Sequence, residues 1–352
     1  MTDLFLKIHS QLQSKYPFAV FSKPGSDMVT GIFQNSSEAY FLTDFSQPGF
    51  VFAPFNGDSF CFIPEDKADI LSVQFEADGY VPSELKTVPV DENEKTDFEN
   101  LVTNCVAAIR QGDFDKLVAS RTETAQLSNT DVTTIFQKLL YAYPMAYKYC
   151  FYHPESGLWM GATPEQLLKV ENNTLHTVAL AGTQVYKEGE HAVWENKEKE
   201  EQLFVTDYIV ASLKEYADDI HTTAPYTFRA GNIVHIKTDI SAELISTGIL
   251  KDVLQKLHPT PAVCGLPKQE AKTFLIKNEG YNREYYSGFI GELNRDFATG
   301  QAKTDLFVNL RCMKVQGDKA QLYIGCGITK DSDPEKEFLE TVNKSMTMRR
   351  VL

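Results

Sequence analysis

Two pairs of glutamates, Glu198/Glu201 in KEKEEQ and Glu337/Glu340 in SDPEKEFLET, each have i,i+3 spacing in a segment that reads as helix. That spacing puts both carboxylates of a pair on one helical face. Either pair alone describes a solvated acidic face as well as a functional one. If the two pairs converge on one pocket, their repulsion calls for a cation between them. Hard oxygen donors of this kind suit Mg²⁺, with waters and a substrate oxygen completing its shell.

The elements that would position these groups follow from the residue pattern. Residues 1–90 open with an amphipathic helix and continue as short apolar strands, MVTGIFQ, EAYFLTDF, GFVFAPF and SFCFI. The polar run DENEKTDFEN (91–100) marks a shift, and a helix follows with Phe98, Leu101, Val102, Val106 and Ile109 as its apolar stripe. Strand-like alternation returns in KLVASRTET, YKYCFYH, LWMGAT, QLLKVE and TLHTVALAG. A long helix is expected from about Trp194 to Tyr216, with Leu203, Ile209, Val210 and Leu213 inward. Strands IVHIKTDI, SGFIGEL, TDLFVNLRCMKV and AQLYIGCGIT come next. The last helix starts at Ser332-Asp333-Pro334-Glu335, which supplies an N-cap, a proline in the first turn and a capping-box acid. Strands in hairpin-like runs with helices between them indicate an α+β fold of mostly antiparallel sheets rather than a doubly wound one.

Composition narrows the function classes. The 352 residues are 43% hydrophobic and 23% charged, ordinary values for a chain with a sizeable core. A net charge of −14 argues against nucleic acid or an anionic membrane surface as the main partner, yet leaves room for a small anion in a locally positive pocket. The start lacks a basic region followed by an apolar core, and no apolar run is long enough to span a bilayer. Six scattered cysteines without CxxC spacing read as reduced thiols of a cytoplasmic protein. Seven dispersed histidines give no zinc pattern.

Six motifs fall in a fixed order: GDFDKLVASR (112–121), GATPEQLL (161–168), ALAGT (179–183), KEKEEQ (197–202), HPTPAVCG (258–265) followed by VNLRC and GCGIT, and SDPEKEFLET (332–341). Together they resemble the chorismate-utilising enzymes, which include anthranilate, aminodeoxychorismate, isochorismate and salicylate synthases. The resemblance covers roughly residues 95–352 and implies two large antiparallel sheets packed as a sandwich with helices outside, as in anthranilate synthase component I. Residues 1–90 would be a strand-rich part of that fold and 91–352 the chorismate-binding catalytic region, within one structural domain.

Three positions bear on the nucleophile that the resemblance implies. Ammonia-using relatives typically carry glutamine at the position of Lys116 and threonine at that of Ala262, whereas isochorismate synthases carry lysine and alanine. Aminodeoxychorismate synthases place an attacking lysine where this chain has Ala181. Water is therefore the expected nucleophile, entering at C2 of chorismate as the C4 hydroxyl leaves. Lys116 resembles the general base, which must be able to lose its proton. Glu165 resembles the general acid, which must hold one near neutral pH. By the same resemblance Glu201 and Glu340 bind Mg²⁺ directly, and Glu198 and Glu337 contact its waters. Arg311, Gly327 and Tyr286 would receive the enolpyruvyl carboxylate. Gly182 and Thr183 would meet the ring carboxylate, and His235 would sit near the ring. Two departures stand out: Gln202 where histidine is common, and Glu284 where glycine is common. The expected activity is that of an isochorismate synthase, with salicylate synthase as the alternative and a non-catalytic chorismate-binding subunit behind it. The product would feed menaquinone or catechol siderophore synthesis. A monomer without an amidotransferase subunit is expected.

Overall fold

A computed structural model describes residues 1–76, 90–186, 188–189, 192–230 and 233–352. Among these every strand pairing is antiparallel, as the hairpin-like sequence runs imply. One sheet runs, edge to edge, β15 (Gly265–Leu266), β7 (Lys116–Gln126), β19 (Lys319–Ile328), β18 (Cys312–Gln316), β9 (Gly157–Thr163), β8 (Tyr147–His153), β1 (Phe18–Ser22), β2 (Met28–Gln34) and β6 (Ala68–Gln74). The other runs β12 (Ala217–Thr222), β14 (Ile233–Leu244), β11 (Thr174–Val185), β10 (Gln166–Glu171), β17 (Lys303–Val308), β16 (Phe289–Leu293), β4 (Gly49–Ala53), β5 (Cys61–Pro64) and β3 (Tyr40–Phe41), with β13 (Tyr226–Ala230) also on β14. Strands from the first 76 residues thus complete both sheets. The expected division at residue 90 adjoins residues 77–89, which lie outside the described residues.

The sheets face each other across an aromatic seam. Phe52 stacks on Tyr285 with ring centroids 4.4 Å apart and meets Phe151 at 4.6 Å; Tyr147 stacks on Phe307 at 4.1 Å. Rings pack large apolar faces at little entropic cost, which suits a layer that must join two flat surfaces. Helices α1 (Thr2–Ser14) and α3 (Val132–Ala142) cover the outside of the first sheet, and α4 (Asn196–Leu213) and α5 (Leu250–Leu257) cover the second. Helices α2 (Glu92–Gln111), α6 (Lys268–Asn278) and α7 (Pro334–Arg349) pack over β7 and β19. The stripe expected on α2 is buried throughout, and α7 starts as its capping residues indicate, with Asp333 accepting from the Lys336 amide.

Two expectations need correction. Leu203 of α4 is not inward but 54% exposed. The buried stripe is Gln202, Val205, Ile209 and Leu213, and Leu203 stands about 100° away from Gln202 around the helix. EAYFLTDF forms only the two-residue strand β3. Helices α3, α5 and α6 add to the elements expected from the sequence.

Phe52 sits where the seam is densest, so Phe52→Ala is expected to destabilise the fold by about 3–5 kcal/mol. Urea denaturation should show that loss as a lower midpoint with an unaltered slope.

Candidate active site

Strand alternation aims Lys116. Along β7, Leu117 and Ala119 are buried beneath α2, α6 and α7, so Lys116 and Val118 face the opposite side, into the space between the sheets. On α4, Glu198 and Glu201 prolong the buried stripe of Gln202, Val205 and Ile209 by one turn, with Glu198 set against Gly182 of β11. On α7, Glu337, Glu340 and Lys344 follow each other at i, i+3 and i+7 beside the buried Phe338, Thr341 and Ser345. The two acidic helices thereby reach one cavity of about 240 Å³.

Every site residue singled out from the sequence except Thr183 lines that cavity: Lys116, Glu165, Gly182, His235, Ala262, Tyr286, Arg311 and Gly327, and with them Glu198, Glu201, Glu337 and Glu340. Thr183 pairs with His235 through the backbone of β11 and β14, and its side chain lies outside the described residues. A separate open groove along β11, β12 and β14 carries His176, His221 and Lys237, and Gln166 is the one motif residue that reaches it.

Glu165 sits in the connection from β9 to β10. Its amide donates to Thr163 Oγ1 (3.3 Å), and its carbonyl accepts from the Val308 amide (2.9 Å). Desolvation raises its pKa from 4.5 to about 7, against the opposing pull of Lys116, Lys344 and Arg311. His235 is held neutral, its pKa lowered to about 4 mainly by desolvation. Its Nδ1 faces the Gly182 carbonyl at 3.0 Å, which puts the ring proton on Nδ1. Gly182 has φ 70°, and a Cβ there would lie 3.0 Å from Cβ of Glu198. A Cβ on Gly327 would come within 3.2 Å of Lys116 Cε, so glycine at this position leaves the amine its place.

The cavity's charges are already partly matched. Lys116 Nζ donates to Glu201 Oε1 at 2.6 Å, and Lys344 Nζ contacts Glu340 Oε1 at 2.6 Å while donating to the Gly325 carbonyl at 3.0 Å. Arg311, at φ 47°, makes no hydrogen bond or ion pair with a described residue through its side chain, and burial lowers its pKa. Among the described residues, no three acidic, histidine or cysteine side chains already form a chelating group. The donor set nonetheless fits a hard divalent ion: four carboxylates line one cavity, and Glu198 Oε2 is buried with no hydrogen-bond partner. In this arrangement lysine ammonium groups sit against Glu201 and Glu340, where a cation would otherwise compensate them.

Lys344 lies outside the sequence motifs, and its one signal is its place four residues after Glu340 on the same face, the spacing of a helical ion pair. The two departures are also accounted for. Gln202 Nε2 bridges Thr206 Oγ1 (2.8 Å) and Thr238 Oγ1 (2.7 Å), tying α4 to β14. Glu284 has φ 49°, the left-handed region that makes glycine common there, and its carboxylate bonds Lys314 Nζ (2.5 Å) and the Tyr323 hydroxyl (3.0 Å).

The raised Glu165 pKa has a thermodynamic consequence. The folded state holds this proton more tightly than the unfolded chain, so the group's stabilising contribution is full below pH 4.5 and is lost as pH rises through about 7. Urea denaturation of the wild type and Glu165→Gln across this range should give a stability difference that declines with pH. A pH-independent difference would contradict the assignment.

The chorismate binding enzyme profile matches residues 65–352. The salicylate biosynthesis isochorismate synthase of Pseudomonas aeruginosa is 29% identical over 268 residues, covering 74% of this chain and 55% of that protein. Isochorismate synthase MenF of Escherichia coli is 28% identical over 270 residues, covering 74% of this chain and 61% of MenF. The matches therefore span less than two thirds of either relative. A solved structure from Bacillus anthracis, DhbC, described as a 2,3-dihydroxybenzoate-specific isochorismate synthase, superposes with a TM-score of 0.80 at 22% identity over 99% of both chains, a likeness of fold. With a family match over most of its length and an acidic, lysine-bearing cavity at the expected motifs, the chain belongs to the chorismate-binding enzymes.

Proposed function

We propose that this protein is an isochorismate synthase, converting chorismate to isochorismate by attack of water at C2 and loss of the C4 hydroxyl. The observation that carries the reading is one cavity lined by Lys116, Glu165 and both glutamate pairs. The names of the relatives support it, as do Lys116, Ala181 and Ala262 at the positions where water-using and ammonia-using enzymes differ.

In the proposed reaction Lys116 acts in its neutral amine form, taking a proton from the attacking water as the C2–O bond forms. The ring double bonds shift and the C4–O bond breaks. Glu165 gives its proton to the departing hydroxide, and a pKa of about 7 leaves it substantially protonated near neutral pH. Arg311 and Lys344 provide positive charge for the substrate carboxylates, and the Gly327 amide and Tyr286 hydroxyl provide directed donors. Neutral His235 and the backbone of Gly182 and Thr183 border the ring. Glu201 and Glu340, with Glu198 and Glu337 behind them, would hold Mg²⁺, which when bound neutralises the ring carboxylate together with the surrounding acids. Water as nucleophile requires no amidotransferase partner, and the six free, buried cysteines suit a cytoplasmic setting.

Incubation with chorismate and Mg²⁺ is expected to accumulate isochorismate, and chelation to stop it. Accumulation of salicylate and pyruvate instead would replace this reading with that of a salicylate synthase. Lys116→Ala and Glu165→Gln should each lower kcat by at least about 10²-fold while the fold is kept. Because Glu165 must be protonated to act, kcat should fall as pH rises through about 7.

A further inference from the structure

We infer that Arg283 and Glu279, which do not line the cavity, are positioning residues that set where Lys116 stands relative to the Ala262 wall; the inference rests on the function proposed above. Both side chains are almost wholly enclosed, 2% and 1% exposed. Arg283 Nε donates to Glu279 Oε2 at 2.7 Å, and Nη2 donates to Oε1 at 2.5 Å. The outer edges of the guanidinium reach further: Nη2 donates to the Val118 carbonyl (2.6 Å) and Nη1 to the Val263 carbonyl (2.9 Å). Glu279 Oε1 in turn accepts from the amide (2.9 Å) and hydroxyl (2.7 Å) of Ser120.

Each anchored atom adjoins the cavity. Val118 lines it two residues after Lys116 on β7, and Val263 lines it next to Ala262. The Tyr286 amide donates to the Arg283 carbonyl at 2.9 Å, and the guanidinium lies 5.8 Å from the Tyr286 ring and 4.4 Å from that of Phe55. One planar fork thus ties the strand bearing the amine, the loop bearing Ala262 and the segment bearing Tyr286. The number of acceptors explains the residue type. Two carboxylate oxygens and two carbonyls converge on Arg283, an array that a guanidinium matches and a lysine ammonium cannot. β15 pairs with two residues of β7 and the Val118 amide donates to the Cys264 carbonyl at 2.8 Å, so the guanidinium adds a side-chain tie beside this short backbone pairing and extends it to the Tyr286 segment.

Arg283→Lys keeps the charge but not the fork. At saturating chorismate it should lower kcat by about 10²-fold, the cost of a misplacement on the order of 1 Å, with KM changed less than about threefold because Arg311 and Lys344 are untouched. Circular dichroism and thermal melting establish the folded fraction, which a merely structural role would affect without altering kcat per folded molecule. Ser120→Ala removes a single donor to Glu279 and should lower kcat by about three- to tenfold. Folded Arg283→Lys with kcat near that of the wild type, or with only KM raised, overturns the inference. If Arg283→Lys does not fold, unaltered kcat in Ser120→Ala overturns it. A wild type that does not turn over chorismate overturns the proposed function itself, and this inference with it.

Discussion

Four carboxylates gathered at one cavity repel one another, and the site depends on how that repulsion is offset. Lys116 and Lys344 each hold one of the acids, Glu201 and Glu340, at 2.6 Å, so each acidic helix is matched by one amine. Glu165 follows a different course. Three cations act to keep it ionised, yet removal from water outweighs them and its pKa rises to about 7. Neighbouring charge and burial therefore act on the carboxyl groups of one pocket in opposite directions. The outcome is a pocket in which two acids are paired with amines and a third carboxyl is able to keep its proton.

The scaffold makes this charge pattern possible by separating structural from polar faces. β7 and β19 bury Leu117, Ala119, Cys326 and Ile328 under three helices. The alternate residues, among them Lys116 and Gly327, are left to face the cavity. Helices α4 and α7 contribute acids because Glu198/Glu201 and Glu337/Glu340 share the helix faces that carry their buried residues and so point to the same cavity. The Glu279–Arg283 pair lies outside this surface and bonds to the backbone just behind it. Its charge is neutralised internally, so it can join the strand and the loop without altering the balance of charge inside the cavity.

Much of the fold and of the cavity lining was legible in the sequence. Alternation marked most of the strands, the i,i+3 acids marked two shared faces, and Asp333-Pro334 marked the start of α7. The misreadings have physical causes. The apolar character of Leu203 suggests an inward place, but the helix angle gives that place to the polar Gln202, which is held there by hydrogen bonds to Thr206 and Thr238. Lys344 gives no distinct signal in the sequence, because a lysine one turn after a glutamate is ordinary on a solvated helix. Arg283 and Glu279 are themselves i,i+4 partners, but nothing in that spacing announces that carbonyls from residues 118 and 263 will meet them.

By itself the chain determined which side chains share a face, because helix and strand repeat with fixed periods and caps act over a few residues. It also carried the ordered motifs from which the family could be named. Only the tertiary structure decided which faces meet, which amine sits on which acid, and which carboxyl is stripped of water. Those outcomes depend on contacts between segments far apart along the chain, and desolvation is a property of everything that surrounds a group rather than of its neighbours in sequence.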